Sequence, residues 1–129
     1  MKIEKTLVLM KPDAVQRCIV GRILARFEDA GLKIIAMKMA WVDKSFAEKH
    51  YRDIKERYDK RILDNLTAYL REGPVIALVL EGIEAIKIVR KLVGETPYPD
   101  ECSPGTIRGD FAHISKVYAN KHEKKVGNL

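Results

Sequence analysis

Three positively charged side chains stand at places where a protein chain can point them at a ligand. Lys11 follows a short apolar run, Arg90 lies in a segment of helical periodicity, and Arg108 lies in a glycine-bracketed loop. Ammonium and guanidinium groups hold phosphate oxygens, and a guanidinium can do so with two parallel hydrogen bonds. If the protein binds a polyphosphate, Lys11, Arg90 and Arg108 are therefore candidate contacts, although each is a weak signal taken alone.

The common fingerprints for phosphate and metal binding are missing from the sequence. Among its 8 glycines there is no GxxxxGK[ST] or GxGxxG pattern, and HExxH and an EF-hand loop are absent too. If the protein binds a polyphosphate, its side chains must therefore make the contacts that a glycine-rich loop makes elsewhere. We expect no metal ligands from the protein. Purely structural roles stay open for these residues: Lys11 as a turn lysine, Arg90 as a solvent-facing residue, and Arg108 and Thr96 as loop anchors.

The spacing of apolar residues predicts the elements that carry these groups. Strands are expected at residues 6–10, 32–42 and 74–80, and helices around residues 20–27, 43–54, 62–69 and 85–93, with a long loop at residues 95–105. This order indicates an α+β protein with helices packed on an antiparallel sheet. We expect one domain, residues 1–129, with a ferredoxin-like (split βαβ) arrangement and an incomplete fourth strand.

Composition narrows the class of partner. The formal net charge of +6 favours an anionic partner, which leaves nucleotide, nucleic acid or an acidic membrane surface open. No apolar run approaches the roughly 20 residues of a membrane span, and the N-terminus lacks a secretory signal pattern. We expect a soluble cytoplasmic protein, with Cys18 and Cys102 as reduced thiols.

Several segments resemble one family in sequence and in spacing. They are Lys-Pro-Asp-Ala-Val-Gln-Arg at 11–17, His-Tyr at 50–51, Gly-Pro-Val at 73–75, Leu-Glu-Gly at 80–82, Val-Gly-Glu-Thr at 93–96 and Pro-Gly-Thr-Ile-Arg-Gly-Asp-Phe at 104–111. From about residue 6 to residue 129 the chain resembles the nucleoside diphosphate kinases. That family moves the terminal phosphoryl group of a nucleoside triphosphate, such as ATP, onto a histidine and then onto a nucleoside diphosphate, with Mg²⁺ bridging the phosphates.

The resemblance implies a role for each matching residue. The polyphosphate would be held by Lys11, Arg90, Thr96 and Arg108. Tyr51 would help Lys11 to support the transfer, and Asn128 would bond the sugar hydroxyl. Ile62 stands where the family usually stacks the base on phenylalanine, although its spacing also suits a core residue.

The nucleophilic histidine of the family follows the sugar-binding asparagine in an Asn-x-x-His pattern. Here Asn128 is followed by Leu129, the last residue of the sequence, so we expect the nucleophile two positions further on and a C-terminally truncated domain without transfer activity. We interpret His50 as structural and His113 and His122 as solvated.

Two other functions compete with an enzyme of this family. One is a catalytically inert nucleotide-binding or interaction module, because the sequence lacks the nucleophile. The other is an RNA-binding domain, which the absence of aromatic residues at 6–10 and 75–80 disfavours. An open sheet edge also predicts a homo-oligomer.

Overall fold

A computed structural model describes residues 2–43, 45, 49, 68 and 71–122 of the chain. Its strands are β1 (Ile3–Met10), β2 (Lys33–Ala40) and β3 (Val75–Ile83). Its helices are α1 (Pro12–Gln16), α2 (Val20–Asp29), α3 (Ala85–Val93), α4 (Ile107–Asp110) and α5 (Lys116–Lys121), with a 3-10 turn at Pro99–Glu101.

The three strands form one sheet in the order β1-β3-β2. β3 is central and antiparallel to both neighbours, with Met10 opposite Ile76 on one side and Ala40 opposite Val75 on the other. Two parallel strands with a third inserted between them make the split βαβ arrangement, so the predicted α+β ferredoxin-like fold is confirmed. The residues expected to begin a fourth strand lie outside the described part of the chain.

One face of the sheet carries the core. Phe27 and Ile23 of α2 are fully buried against Leu78 and Leu80 of β3, and Val89 of α3 joins the same cluster. The helical residues recur at intervals of four, which places them on one side of their helices. Burial of such large apolar side chains, each about 1.5–3 kcal/mol, fixes both helices on the sheet.

The chain departs from the sequence prediction where β1 ends. Lys11, which could have stood in a simple turn, directly precedes the five-residue helix α1, with Pro12 at its first position, where a fixed φ and a missing N–H cost nothing. A helix this short shows no periodicity, so pattern reading gives a turn instead.

Two more short helices were not predicted for the same reason. α4 and α5 begin after Thr106 and Ser115, whose hydroxyl oxygens accept hydrogen bonds from Gly109 N and Tyr118 N at 3.1 and 3.0 Å. These caps satisfy backbone donors at the start of each helix. His122, interpreted as solvated, directly follows the end of α5.

No helix within the described ranges combines the length and apolar character that crossing a lipid bilayer requires.

Candidate active site

Lys11 is fixed between two rigid elements. The buried Met10 ends β1, Lys11 itself has extended backbone angles, and its carbonyl accepts a hydrogen bond from Ala14 N at 3.0 Å. Pro12 and Ala14 are buried on the other side. The Lys11 side chain therefore starts at the end of β1, from a backbone that is held in one conformation.

The environment of Lys11 disfavours its positive charge. Burial, and in second place repulsion by the Arg108 guanidinium, lowers the pKa of Lys11 from 10.5 to about 8. Loss of water contacts destabilises the ammonium form, and a like charge nearby does the same. A ligand that brings negative charge to this position would offset both penalties.

Arg108 is carried by α4, which the core anchors through its first residue. Ile107 is fully buried and belongs to the same apolar cluster as the sheet. Four residues cannot hold a helix alone, because one turn fixes many dihedral angles for few hydrogen bonds. The Thr106 cap supplies part of the missing stabilisation, since its hydroxyl also donates to Ser103 O at 2.6 Å.

The guanidinium of Arg108 reaches the carbonyls that follow α3. Its Nη1 donates to Thr96 O at 3.2 Å and lies 3.4 Å from Gly94 O. The Cys102 thiol donates to the same Thr96 oxygen at 3.1 Å. Burial lowers the pKa of Arg108 below its ordinary value, although the group stays charged in this range. The end of α3 and the Arg108 helix are thereby tied together.

A cavity of about 750 Å³ lies along β1 and α3 and contains all four predicted phosphate contacts. Its wall includes Lys11, Arg90, Thr96 and Arg108, and apolar side chains of both elements complete it. Arg90 is exposed on the last turn of α3, whereas Thr96, Lys11 and Arg108 are partly buried. Groups up to 97 residues apart in sequence (from Lys11 to Arg108) therefore face one space.

Among the described residues that line this cavity, the acidic side chain is Glu95. Its carboxylate accepts a hydrogen bond from Ser103 N at 3.1 Å, and Ser103, first through its side chain, keeps the pKa of Glu95 below its ordinary value. The described residues hold no group of three or more His, Cys, Asp or Glu side chains that could bind a metal ion. Three cations, Lys11, Arg90 and Arg108, outnumber this acid on the described wall, so its charge favours an anion.

Two arginines hold the Arg108 segment from outside, and sequence reading missed both. Arg17 donates to Phe111 O at 2.7 Å and pairs with Asp13 at 3.3 Å. Arg26 pairs with Asp110 at 2.9 Å and also donates to Gly105 O. Each looks like a polar-face residue of an amphipathic segment, so the sequence carries no signal of these long-range contacts.

The structure places two of the three histidines away from this cavity. His113 is exposed, with Nε2 3.9 Å from Asp13 Oδ1, and His122 packs its ring on Tyr118 with centroids 4.2 Å apart. His50 lies outside the described residues. So do three predicted site residues: Tyr51, Ile62 and Asn128.

Comparisons with known proteins agree on one family. The family model described as nucleoside diphosphate kinase matches residues 4–122. The nucleoside diphosphate kinase of Pyrococcus horikoshii is 50% identical over 119 residues, which cover 91% of this chain and 73% of the relative. That of Archaeoglobus fulgidus is 52% identical over 108 residues, covering 84% and 69%.

Solved structures give the same answer for the fold. A transition-state mimic of the Borrelia burgdorferi nucleoside diphosphate kinase, with bound vanadate and ADP, has a TM-score of 0.88 and 43% identity, and the match covers 98% of this chain and 76% of that one. The Halobacterium salinarum nucleoside diphosphate kinase in complex with CDP has a TM-score of 0.79 and 41% identity, covering 87% and 71%. The chain therefore belongs to the nucleoside diphosphate kinase family.

Proposed function

We propose that this domain binds nucleoside di- and triphosphates in the cavity beside β1 and serves phosphoryl transfer between them through a phosphohistidine. The observation that carries the proposal is the convergence of Lys11, Arg90, Thr96 and Arg108 on one cavity. Phosphoryl transfer depends mostly on in-line positioning and on fixed positive charge around the transferred group. Lys11 follows the end of a strand and Arg108 lies on a core-anchored helix, which supports such a role.

Lys11 and Arg108 would act before and during the transfer. Their positive charges meet an unfavourable environment in the free protein, and a polyphosphate would compensate it on binding. The rigid carbonyl contacts of Arg108 keep its guanidinium oriented without further ordering. Arg90 and Thr96 would hold the remaining phosphate oxygens, Tyr51 would help to position the transferred group, and Asn128 would bond the sugar.

Magnesium enters the proposal as a companion of the nucleotide. Mg²⁺ keeps several waters and takes its other ligands from phosphates and one or two carboxylates. The described residues of the cavity wall include one acid, Glu95, and three cations. Such a wall suits a magnesium ion only when the phosphates bring the ion with them. Bound there, the ion would neutralise charge on the phosphate oxygens.

We propose that the transfer passes through the histidine of the family's Asn-x-x-His pattern, in which Asn128 would be the asparagine. A polypeptide of these 129 residues should then bind Mg–ADP and Mg–ATP but should not take up phosphate on His50, His113 or His122. Calorimetry tests binding, and incubation with γ-³²P-ATP tests for acid-labile label. A matched polypeptide extended through Asn-x-x-His should be labelled.

These two measurements separate the competing functions. An inert nucleotide-binding module predicts binding but no label even in the extended polypeptide. The absence of any Mg–ATP binding, together with salt-dependent binding of single-stranded RNA, would replace the proposal with the RNA-binding alternative. The three described strands contain no Phe, Tyr or Trp on which bases could stack.

We also propose that the domain forms a homo-oligomer and works in the cytoplasm. Among the described strands β2 lies at one edge of the sheet. Apolar side chains at alternate positions, three on β2 and one just after it, are exposed to solvent: Ile35, Met37, Met39 and Trp41. Met37 is 58% and Trp41 69% exposed, and an apolar edge of this kind invites pairing with a second copy. Met37→Glu should shift the sedimentation profile to smaller species, and an unchanged profile would count against this surface.

A further inference from the structure

We propose that Arg26 is a positioning residue for nucleotide binding, which holds the segment of residues 105–110 on α2 so that Arg108 faces the cavity. This inference rests on the proposed function and assigns a role to a side chain outside the cavity. Its basis is a closed set of contacts around α4.

The first group of contacts closes residues 105–110 into a ring. Asp110 Oδ1 accepts a hydrogen bond from Gly105 N at 2.8 Å, which joins the two ends of the segment. Inside the ring the Thr106 side chain accepts from Gly109 N and donates to Ser103 O. A Cβ at Gly109 would lie 2.4 Å from Ser103 O, so the ring admits no larger residue there.

The second part joins the ring to the body of the protein. Arg26 Nη1 contacts Asp110 Oδ2 at 2.9 Å, and Nη2 donates to Gly105 O. One planar guanidinium therefore grips both ends of the ring, which a lysine could not do with the same geometry. Arg26 precedes the fully buried Phe27 on α2, so its backbone moves only with the core.

The third part concerns what the ring carries. Arg108 is the one arginine between the two gripped ends, and its side chain points to Thr96 O and Gly94 O beside the cavity. Without the Arg26 contacts the ring could tilt about Ile107. The guanidinium of Arg108 would then move away from Lys11. A misplacement of about 1 Å in such a site is enough to weaken function strongly.

The test uses Arg26→Met with Arg22→Met as its control. Arg22 is an exposed residue one turn earlier on the same helix, so the control removes the same charge without touching the ring. We expect R26M to raise the Kd for Mg–ATP roughly tenfold, while R22M stays close to the wild type. A Kd for R26M within roughly twofold of R22M would overturn the inference.

Two further readouts separate positioning from general weakening. In an Arg108→Met background, R26M should change the Kd no further, because it acts only through Arg108; an additional tenfold loss, roughly, would contradict this. Carbon-13 NMR titration of Lys11 should show a higher pKa in R26M than in R22M, since part of the lowering comes from Arg108. An unchanged Lys11 titration would also overturn the inference.

The proposed function and this inference can fail separately. The Lys11 titration needs no nucleotide, so it still decides the role of Arg26 if the wild type binds no Mg–ATP, a result that would count against the proposed function instead. Should R26M not fold, Asp110→Asn takes its place. This substitution weakens the contact with Arg26 but keeps a side-chain oxygen that can accept from Gly105 N. The same changes in Kd and in the Lys11 titration then test the role of Arg26.

Discussion

Lys11 should make nucleotide binding depend on pH in the alkaline range. In the free protein its pKa is lowered to about 8, so the side chain loses its proton well below the ordinary value of 10.5. A bound polyphosphate favours the protonated form and returns the pKa towards 10.5 or higher. Binding above pH 8 must then take up a proton, and it weakens as protons become scarce.

The size of the effect follows from these two pKa values. If the bound pKa is 10.5, the Kd for Mg–ADP should rise roughly twofold between pH 7 and pH 8 and roughly 25-fold between pH 7 and pH 9.5. Proton uptake should be about 0.1 per nucleotide at pH 7 and about 0.9 at pH 9. The phosphate groups themselves, with a last pKa near 6, have finished titrating by then.

Calorimetry in two buffers of different ionisation enthalpy measures both quantities. The comparison is Lys11→Arg, whose guanidinium stays charged throughout, so its Kd should be independent of pH whatever its value at pH 7. A wild-type Kd that changes less than roughly threefold between pH 7 and pH 9.5, or a K11R variant with the same pH dependence, would refute this role of Lys11.

Three substitutions test the structural side of the account. Lys11→Met should raise the free energy of unfolding at pH 7 by up to about 3 kcal/mol. The gain should fade from pH 8 to pH 10.5, because the lowered pKa of Lys11 in the folded protein costs stability only where the side chain is protonated. Chemical denaturation across this pH range measures the gain. Gly109→Ala should cost about 1–3 kcal/mol and weaken nucleotide binding, since its Cβ would overlap Ser103 O; a wild-type Kd and stability would contradict the ring geometry. Cys18→Gly should stabilise the protein by about 0.5–1 kcal/mol, as Cys18 has φ +58, and a lower melting temperature would count against this source of strain.

Patterns of apolar residues predict the elements that form the core and miss those that fine-tune the site. The strand at 74–80 and the helix at 85–93 are recognisable because burial on one or both faces sets their composition. Gly31, just after the end of α2, has φ +81, which a glycine adopts without strain. Helices α1, α4 and α5 have at most six residues, too few for a period to show.

The candidate site divides in the same way. Charge and position predicted Lys11 and Arg108 as phosphate contacts, and the structure brings both to one cavity with Arg90 and Thr96. The grip of Arg26 on Gly105 and Asp110 joins residues 79 and 84 positions apart. No local pattern marks such a contact, because it depends on which loop the finished fold brings to α2.

The most direct test of the account is a crystal structure of the chain with Mg²⁺ and ADP bound. We predict that the phosphates lie between Lys11 and Arg108 in the cavity beside β1, within hydrogen-bonding distance of Arg90 and Thr96. Phosphates bound elsewhere, with no contact to Lys11 or Arg108, would contradict it.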